Sequence, residues 1–273
     1  MAIKKPIGTI TRGTTNPNRL RRIDRYISSL PVIRQTTNPI VVDLGFGASP
    51  ITAVELLDRL QKINSTTHVV GIEIDRERVE RGLQVAKSNL HFTHGGFETP
   101  LPTTLPGLQT TADLIRAFNV LRQYEESEVK DAWAKMQSRL SLNGLLIEGT
   151  CDEIGRISSW VTLDKTKPLS FTISLRLSSI GNDGFENPSK VAERLPKILI
   201  HRNVAGEKIH EFLNALDFAW ASNASIGALS PSQRWVSACK QLLAEGWPLI
   251  GEKKRWRLGE LTLDWQAVAP IED

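Results

Sequence analysis

Between residues 39 and 150 the chain alternates short unbroken apolar runs with longer stretches whose apolar positions recur every three or four residues. Ile40-Val41-Val42, Val69-Val70-Gly71-Ile72, Ala112 to Phe118 and Leu145 to Glu148 are runs of the first kind. Rich in branched residues and lacking polar alternation, they read as strands covered on both faces. His91-Phe92-Thr93-His94 adds a strand between the second and third of them. Ile51, Val54, Leu57, Leu60 and Ile63 follow the first run at helical spacing; Val79, Leu83, Ala86 and Leu90 follow the second, behind Asp75 as a cap. Glu125 to Leu140 predicts a helix burying Val129, Ala132, Trp133, Met136 and Leu140, with Asn143-Gly144 as its stop. Strands and helices in this alternation call for a parallel sheet with right-handed crossovers.

The flanks are patterned differently. Thr14 to Asn18 opens a helix that runs to about Leu30, with Leu20, Ile23 and Ile27 facing inward, and Pro31 and Asn38-Pro39 punctuate the link to the first strand. Beyond residue 150, Trp160 to Leu163 and Leu169 to Leu177 predict a hairpin across Asp164-Lys165-Thr166-Lys167, and Gly181 to Pro188 reads as a loop. Two helices follow: one carries Ile209, Phe212, Leu213, Leu216 and Trp220 on one face; the other starts at Ser230-Pro231 and carries Trp235, Cys239 and Leu242. Arg255 to Trp265 ends the chain in a short strand or two. The expected organisation is an arm over 1–38, a core over 39–180, and a C-terminal extension or cap over 181–273 packed on the same domain.

Composition narrows the class. The chain has 273 residues, enough for a sizeable core, and no apolar run long enough to span a membrane. Its N-terminus lacks the apolar stretch of a signal peptide, and its two cysteines, Cys151 and Cys239, make neither a disulfide framework nor a metal pair. A reducing cytoplasm is the expected location. The net charge is +4, but residues 1–38 carry eight basic side chains against Asp24 alone, so the arm stands at +7 and the remainder at −3. A basic arm on a near-neutral body suits a polyanionic partner, whereas an ordinary solvated amphipathic helix explains the same apolar positions.

The chemistry concentrates behind the first strand. In Asp43-Leu44-Gly45-Phe46-Gly47, the two glycines let the backbone turn sharply and approach a ligand closely, and Pro50 suits the first helical turn. The next strand ends on Glu73, where a carboxylate accepts the ribose hydroxyls of an adenosine. A dinucleotide fingerprint needs glycine where Pro50 stands, which counts against a nicotinamide cofactor.

Val42 to Gly47, Gly71-Ile72-Glu73-Ile74-Asp75, Ala112 to Leu121 and Asn143 to Glu148 together resemble the class I S-adenosylmethionine-dependent methyltransferases, in that family's order and over roughly residues 39 to 150. The resemblance implies an α/β Rossmann-like fold, with a mostly parallel seven-stranded sheet, helices on both faces, the basic helical arm before it and the helical extension after it. It implies that the loop of Asp43, Gly45, Phe46 and Gly47 receives the methionine end of S-adenosylmethionine, Glu73 its ribose and Ile74 its adenine, with Gly96 and Phe97 as further cofactor candidates. The family usually offers an acid at the end of the third strand; Gly96 stands nearest that position here, so backbone groups or Glu98 must substitute.

Asn119 and Tyr124 follow the fourth strand, beside the expected methyl group, and are the catalytic candidates; Asn119 is also a cofactor candidate. Arg116 and Arg122, with Arg22 and Arg25 of the arm, are the candidates for holding an anionic substrate. The Asn-Pro-Pro-Tyr pattern of amino-directed methylases is absent. Thr150-Cys151 is similar to a Thr-Cys of pyrimidine C5 methylases, but Phe118-Asn119 stands where their Pro-Cys belongs, so a buried structural thiol is the expectation. His91 and His94 have no further ligand at metal spacing, and no metal is expected. The expected activity is methyl transfer to an acceptor, with RNA ahead of a small anionic metabolite. The rivals are a non-catalytic RNA-binding protein on the same scaffold and a nicotinamide-dependent oxidoreductase.

Overall fold

The computed structural model describes residues 5–180, 186–228, 230–251 and 253–271; Lys4 of the basic arm and most of the loop expected at Gly181 to Pro188 lie outside them. The chain resolves into two compact units. The first comprises the described residues up to Glu148 with Glu153–Gly155 and Leu163–Lys167; the second holds Gly149–Asp152, Arg156–Thr162 and the described residues from Pro168 onward. The division falls inside a strand, not near residue 180.

In the first unit the order is α1 (Arg21–Ile27), α2 (Pro31–Gln35), β1 (Ile40–Leu44), α3 (Ile51–Leu60), β2 (His68–Glu73), α4 (Arg76–Leu83), β3 (Leu90–His94), β4 (Ala112–Phe118), α5 (Glu126–Gln137) and β5 (Leu140–Cys151). β1 and β2 are buried along their whole lengths, as their unbroken apolar runs require. β1 lies between β2 and β4, parallel to both, with Asp43 level with Gly71 and Arg116; β2 pairs in parallel with β3, Glu73 level with His94. Asp43 and Glu73 therefore stand at the carboxyl ends of adjacent parallel strands, where open α/β sheets bind ligands.

The second unit contains the end of β5, β6 (Ile157–Leu163), β7 (Pro168–Leu175), α6 (Lys197–Ile200), α7 (Lys208–Ser222), α8 (Pro231–Ala244), β8 (Leu249–Ile250), α9 (Lys253–Trp256) and β9 (Glu260–Asp264). β7 and β8 both pair antiparallel with β9. Ile209, Phe212, Leu213, Leu216 and Trp220 of α7 and Trp235, Cys239 and Leu242 of α8 are buried, as their helical spacing predicts, and the Ser230 side chain caps α8. Arg234 lies over the Trp220 ring, 3.9 Å from its centroid.

The strand order is β3-β2-β1-β4-β5-β6-β7-β9-β8, a mixed sheet of nine strands, which corrects the expectation of seven mostly parallel ones. β5 accounts for a further correction. Asn143-Gly144 does not end a helix: α5 stops at Gln137, and both residues lie inside β5. A Cβ at Gly144 would stand 2.8 Å from the Ala112 carbonyl oxygen, so this glycine permits a close strand approach rather than a helix stop. α4 is also shorter than its spacing predicts, and Leu83 is exposed. Gly82 packs against Phe92 with no room for a Cβ, so the face α4 buries is Arg78, Val79 and Gly82.

Candidate functional site

A cavity with about 280 Å³ of free volume opens at the carboxyl ends of β1, β2 and β3. Its floor comes from elements already singled out: Leu44 and Gly45 at the end of β1, Glu73 and Ile74 at the end of β2, Gly96 and Phe97 after β3, and Val120 and Tyr124 after β4. Gly45 has φ +70°, and a Cβ there would lie 2.7 Å from a Val120 methyl, so turn and packing both require glycine. Glu73 is buried and its carboxylate accepts from three backbone N–H groups. Oε1 accepts from the backbone N–H groups of Ile74 (2.9 Å) and Asp75 (3.4 Å), and Oε2 accepts from Gly47 N–H (3.0 Å) and faces Arg78 Nη1 at 3.5 Å. The Gly47 and Ile74 N–H groups make the short bonds, while Arg78 Nη1 stands at ion-pair distance without making a hydrogen bond.

The fourth wall was not visible in the sequence. Ile7, Gly8, Thr9 and Thr11 close the cavity from the N-terminal side. Ile7 N–H donates to Glu98 Oε2 (2.8 Å), and Ile7 carbonyl accepts from Phe97 N–H (2.9 Å). Thr9 N–H donates to the Tyr124 hydroxyl (2.6 Å), and Gln123 reaches the Thr9 and Ile10 carbonyls at 3.3 and 3.2 Å. Arg78 Nη2 donates to the Thr11 carbonyl (3.0 Å), and Ala48 N–H donates to the Gly13 carbonyl (2.9 Å). Gly47 and Gly96 serve this segment directly: a Cβ would stand 2.8 Å from Gly13 O at the first and 2.0 Å from Ile7 O at the second.

The other sequence candidates divide. Phe46 is buried with its ring against Phe92, centroids 5.3 Å apart, so it braces the loop from below. Asn119 follows β4 with φ +60°, a left-handed conformation in which asparagine is enriched and which marks a position held by its surroundings. Asp43 and Arg116 need correction as ligand contacts, because they pair with each other below the cavity. Arg116 is fully buried; its Nε and Nη2 donate to the Asp43 carboxylate at 3.0 and 2.8 Å, Nη2 also donates to Thr52 carbonyl (3.1 Å), and Nη1 is bound by Asp24. Burial alone would lower the Arg116 pKa, but the carboxylates of Asp24 and Asp43 override it and hold the guanidinium above its ordinary value. Asp24 also binds Arg59, which pairs with Glu55 at 3.1 Å. The one acid of the basic arm thus ties α1 to the strands, while Leu20, Ile23 and Ile27 pack inward as their spacing predicts. α1 is shorter than expected, ending at Ile27. Arg22 Nε donates to the Gly155 carbonyl (3.0 Å), Arg25 is half-buried, and Arg122 is exposed.

Among the described residues no group of His, Cys, Asp and Glu is arranged to hold a metal ion, and no helix is long and apolar enough to cross a membrane. His91 stacks on His68, and His94 Nε2 lies 2.9 Å from Ile74 O. Cys151 and Cys239 are free and buried, and burial pushes the Cys239 thiol well up. Glu148 is fully buried, and desolvation raises its carboxyl to about 8, with the Trp133 indole acting the other way.

No family model and no curated protein matches the chain. Solved structures similar to it include the PH0226 protein from Pyrococcus horikoshii OT3, at 16% identity over 55% of this chain and 76% of that one, with a TM-score of 0.39. Human N-acetylserotonin methyltransferase in complex with SAM is 18% identical over 50% of this chain and 36% of its own, TM-score 0.35. Magnesium protoporphyrin IX methyltransferase from Synechocystis PCC 6803 with bound SAH is 15% identical over 49% of this chain and 58% of its own, TM-score 0.34.

Proposed function

We propose that the first unit is the core of an S-adenosylmethionine-dependent methyltransferase. One observation carries this reading: Glu73 and Phe97 line one cavity at the ends of adjacent parallel strands, and Ala48 N–H and the Glu98 carboxylate bond the segment over residues 7–13 that closes it. A nucleoside joined to an amino acid needs such a set, with a donor for a carboxylate at a helix start, an acceptor for ribose hydroxyls, and a donor–acceptor pair for a purine edge. The residues fit the cofactor in kind. Ala48 N–H and the Gly45–Gly47 turn would receive its amino-acid end, Glu73 its ribose, Phe97 N–H and Glu98 its adenine edge, and Ile74 the adenine face. Bound there, the cofactor supplies an electrophilic methyl group on a sulfonium. Tyr124 and Asn119 would orient the acceptor, and orientation with exclusion of water supplies much of such a barrier reduction, which is consistent with the lack of a strong base signature. Pro50 precedes α3, where a dinucleotide site carries glycine, so a nicotinamide cofactor is the weaker reading.

The acceptor we infer is anionic, RNA ahead of a small metabolite. Support comes from the +7 arm, whose Arg21 is exposed on α1 and whose Arg25 is half-exposed. Calorimetry with S-adenosylmethionine and with NAD tests the cofactor. S-adenosylmethionine binding is expected, weakened in Glu73→Ala by about 2–4 kcal/mol for two charge-assisted hydrogen bonds, with a melting control because Glu73 also holds its own loop. Tight NAD binding without S-adenosylmethionine binding refutes the reading.

A further inference from the structure

We infer that residues 7–13 are an internal competitor for the cofactor cleft: the segment satisfies, with its own backbone, the groups a bound nucleoside would use, and it must leave for the ligand to enter. The inference rests on the cofactor reading above and concerns this chain's own N-terminal segment.

Three contacts make the case. At one end the Ile7 peptide presents an N–H to Glu98 Oε2 (2.8 Å) and a carbonyl to Phe97 N–H (2.9 Å). A donor beside an acceptor is also what the amino edge of adenine offers, so the Ile7 backbone and a purine are alternatives for one pair of partners. At the other end the Gly13 carbonyl accepts from Ala48 N–H (2.9 Å), just before α3, where an amino-acid carboxylate would otherwise be drawn. Between them the Thr11 carbonyl holds Arg78 at 3.0 Å, and the same guanidinium lies 3.5 Å from Glu73 Oε2. Arg78 thereby keeps its charge beside the carboxylate that would take the ribose. The segment thus covers the purine, ribose and amino-acid positions in turn.

Steric facts agree. Ile7, Gly8, Thr9 and Thr11 of the segment wall the cavity together with the β1 turn and the end of β3, the two places a bound cofactor would have to reach. The glycine loops are fitted to the segment as closely as to any ligand. Gly96 has Ile7 O where its Cβ would be, and Gly47 has Gly13 O within 2.8 Å. Gly13 is itself constrained, with φ +72° and a Cβ position 2.6 Å from the Arg78 guanidinium. The segment is held largely through its own backbone N–H and C=O groups, so a ligand making the same bonds can exchange for it.

The test uses the full-length chain and two variants that alter only the segment. Ile7→Pro removes the N–H given to Glu98, and Gly13→Val cannot seat against Arg78; a deletion of residues 2–13 is the third form. Backbone amide exchange at Ala48 and Phe97 is read first, with thermal melting to confirm that each form is folded. Both amides are expected to be protected in the parent chain and open in the variants. Calorimetry with S-adenosylhomocysteine then follows, and each altered form is expected to bind at least about tenfold more tightly than the parent. In the parent, adding S-adenosylhomocysteine is expected to speed exchange within residues 7–13 while Ala48 and Phe97 stay protected. Equal affinity in all forms overturns the proposal, because segment and ligand would then share no groups. Weaker binding in the altered forms also overturns it and makes the segment a cover that completes the site. If the opened forms, with Ala48 and Phe97 exchanging freely, bind no S-adenosylhomocysteine, the cofactor reading itself fails and the competition falls with it.

Discussion

Glu148 carries a free-energy signature that a titration can read. It lies near the end of β5 in the first unit, fully buried, and desolvation lifts its carboxyl from an ordinary 4.5 to about 8. Between those two values the folded chain keeps a proton that the unfolded chain has released. Folding stability therefore falls as pH rises from about 4.5 to about 8 and is level outside that window. The displacement is roughly 3.5 pH units, and at 1.36 kcal/mol each it amounts to about 5 kcal/mol, a large share of a typical domain's stability. Glu148→Gln replaces the neutral acid by a neutral group of the same shape that cannot ionise. Urea unfolding of parent and variant at pH 5, 6.5 and 8 isolates this one group, since every other titration is common to both. Near-equal stability is expected at pH 5, and the variant is expected to be the more stable by several kcal/mol at pH 8. A variant destabilised equally at all three values would show that Glu148 is ionised and paired in the folded chain, and the desolvation argument would be wrong.

The Asp24–Arg116–Asp43 cluster predicts a stability effect without a ligand. Asp24→Ala leaves a buried guanidinium short of a partner and should cost about 3–5 kcal/mol in urea unfolding, with part of it regained when Arg116→Met is added; a loss below 1 kcal/mol would mean that Arg116 finds another partner at no cost. Arg21→Gln with Arg25→Gln, which spares the structural bond of Arg22 to Gly155, should flatten the salt dependence of RNA binding by roughly 0.7–0.9 in log–log slope per lost phosphate contact while leaving cofactor affinity unchanged. No RNA affinity in the parent at low salt would leave α1 as a brace and turn the acceptor question to small anions.

The strands and most helices of the first unit were legible because burial on both faces leaves an unbroken apolar run, and because parallel strands need helices between them. β4 follows its run from Ala112 to Phe118 residue for residue. Errors arose where one residue type serves two purposes. Gly144 reads as a helix stop, but in the fold it is small because the Ala112 carbonyl lies against it, just as Gly82 of α4 is small because the Phe92 ring does. Polar Ser141 and Asn143 hid the first half of β5, whose middle residues are exposed. Arg116 misled for a related reason. An arginine at the end of a central strand suggests an anion site, and the sequence carries no mark that Asp24, far away in the arm, will neutralise it.

The floor of the site was legible and its roof was not, and the cause is chemical. Gly45, Gly47, Glu73 and Phe97 stand at the ends of predicted strands, where residue type and position together imply a ligand. The segment above them makes its contacts through peptide groups, which every residue possesses. Ile7, Thr9, Thr11 and Gly13 engage Glu98, Phe97, Tyr124, Arg78 and Ala48 through backbone N–H or C=O. Such contacts leave no pattern of side chains, and only the glycines that make room for them mark the sequence. Gly96 is the clearest case. It stands where the resemblance leads one to expect an acid, and Glu98, two residues on, accepts from the Ile7 and Gly96 N–H groups. The glycine has a steric reason: any side chain at Gly96 would collide with the Ile7 carbonyl. The absence of a side chain at Gly96 and the seating of the Ile7 carbonyl against Phe97 N–H are therefore one steric condition, met at a single position.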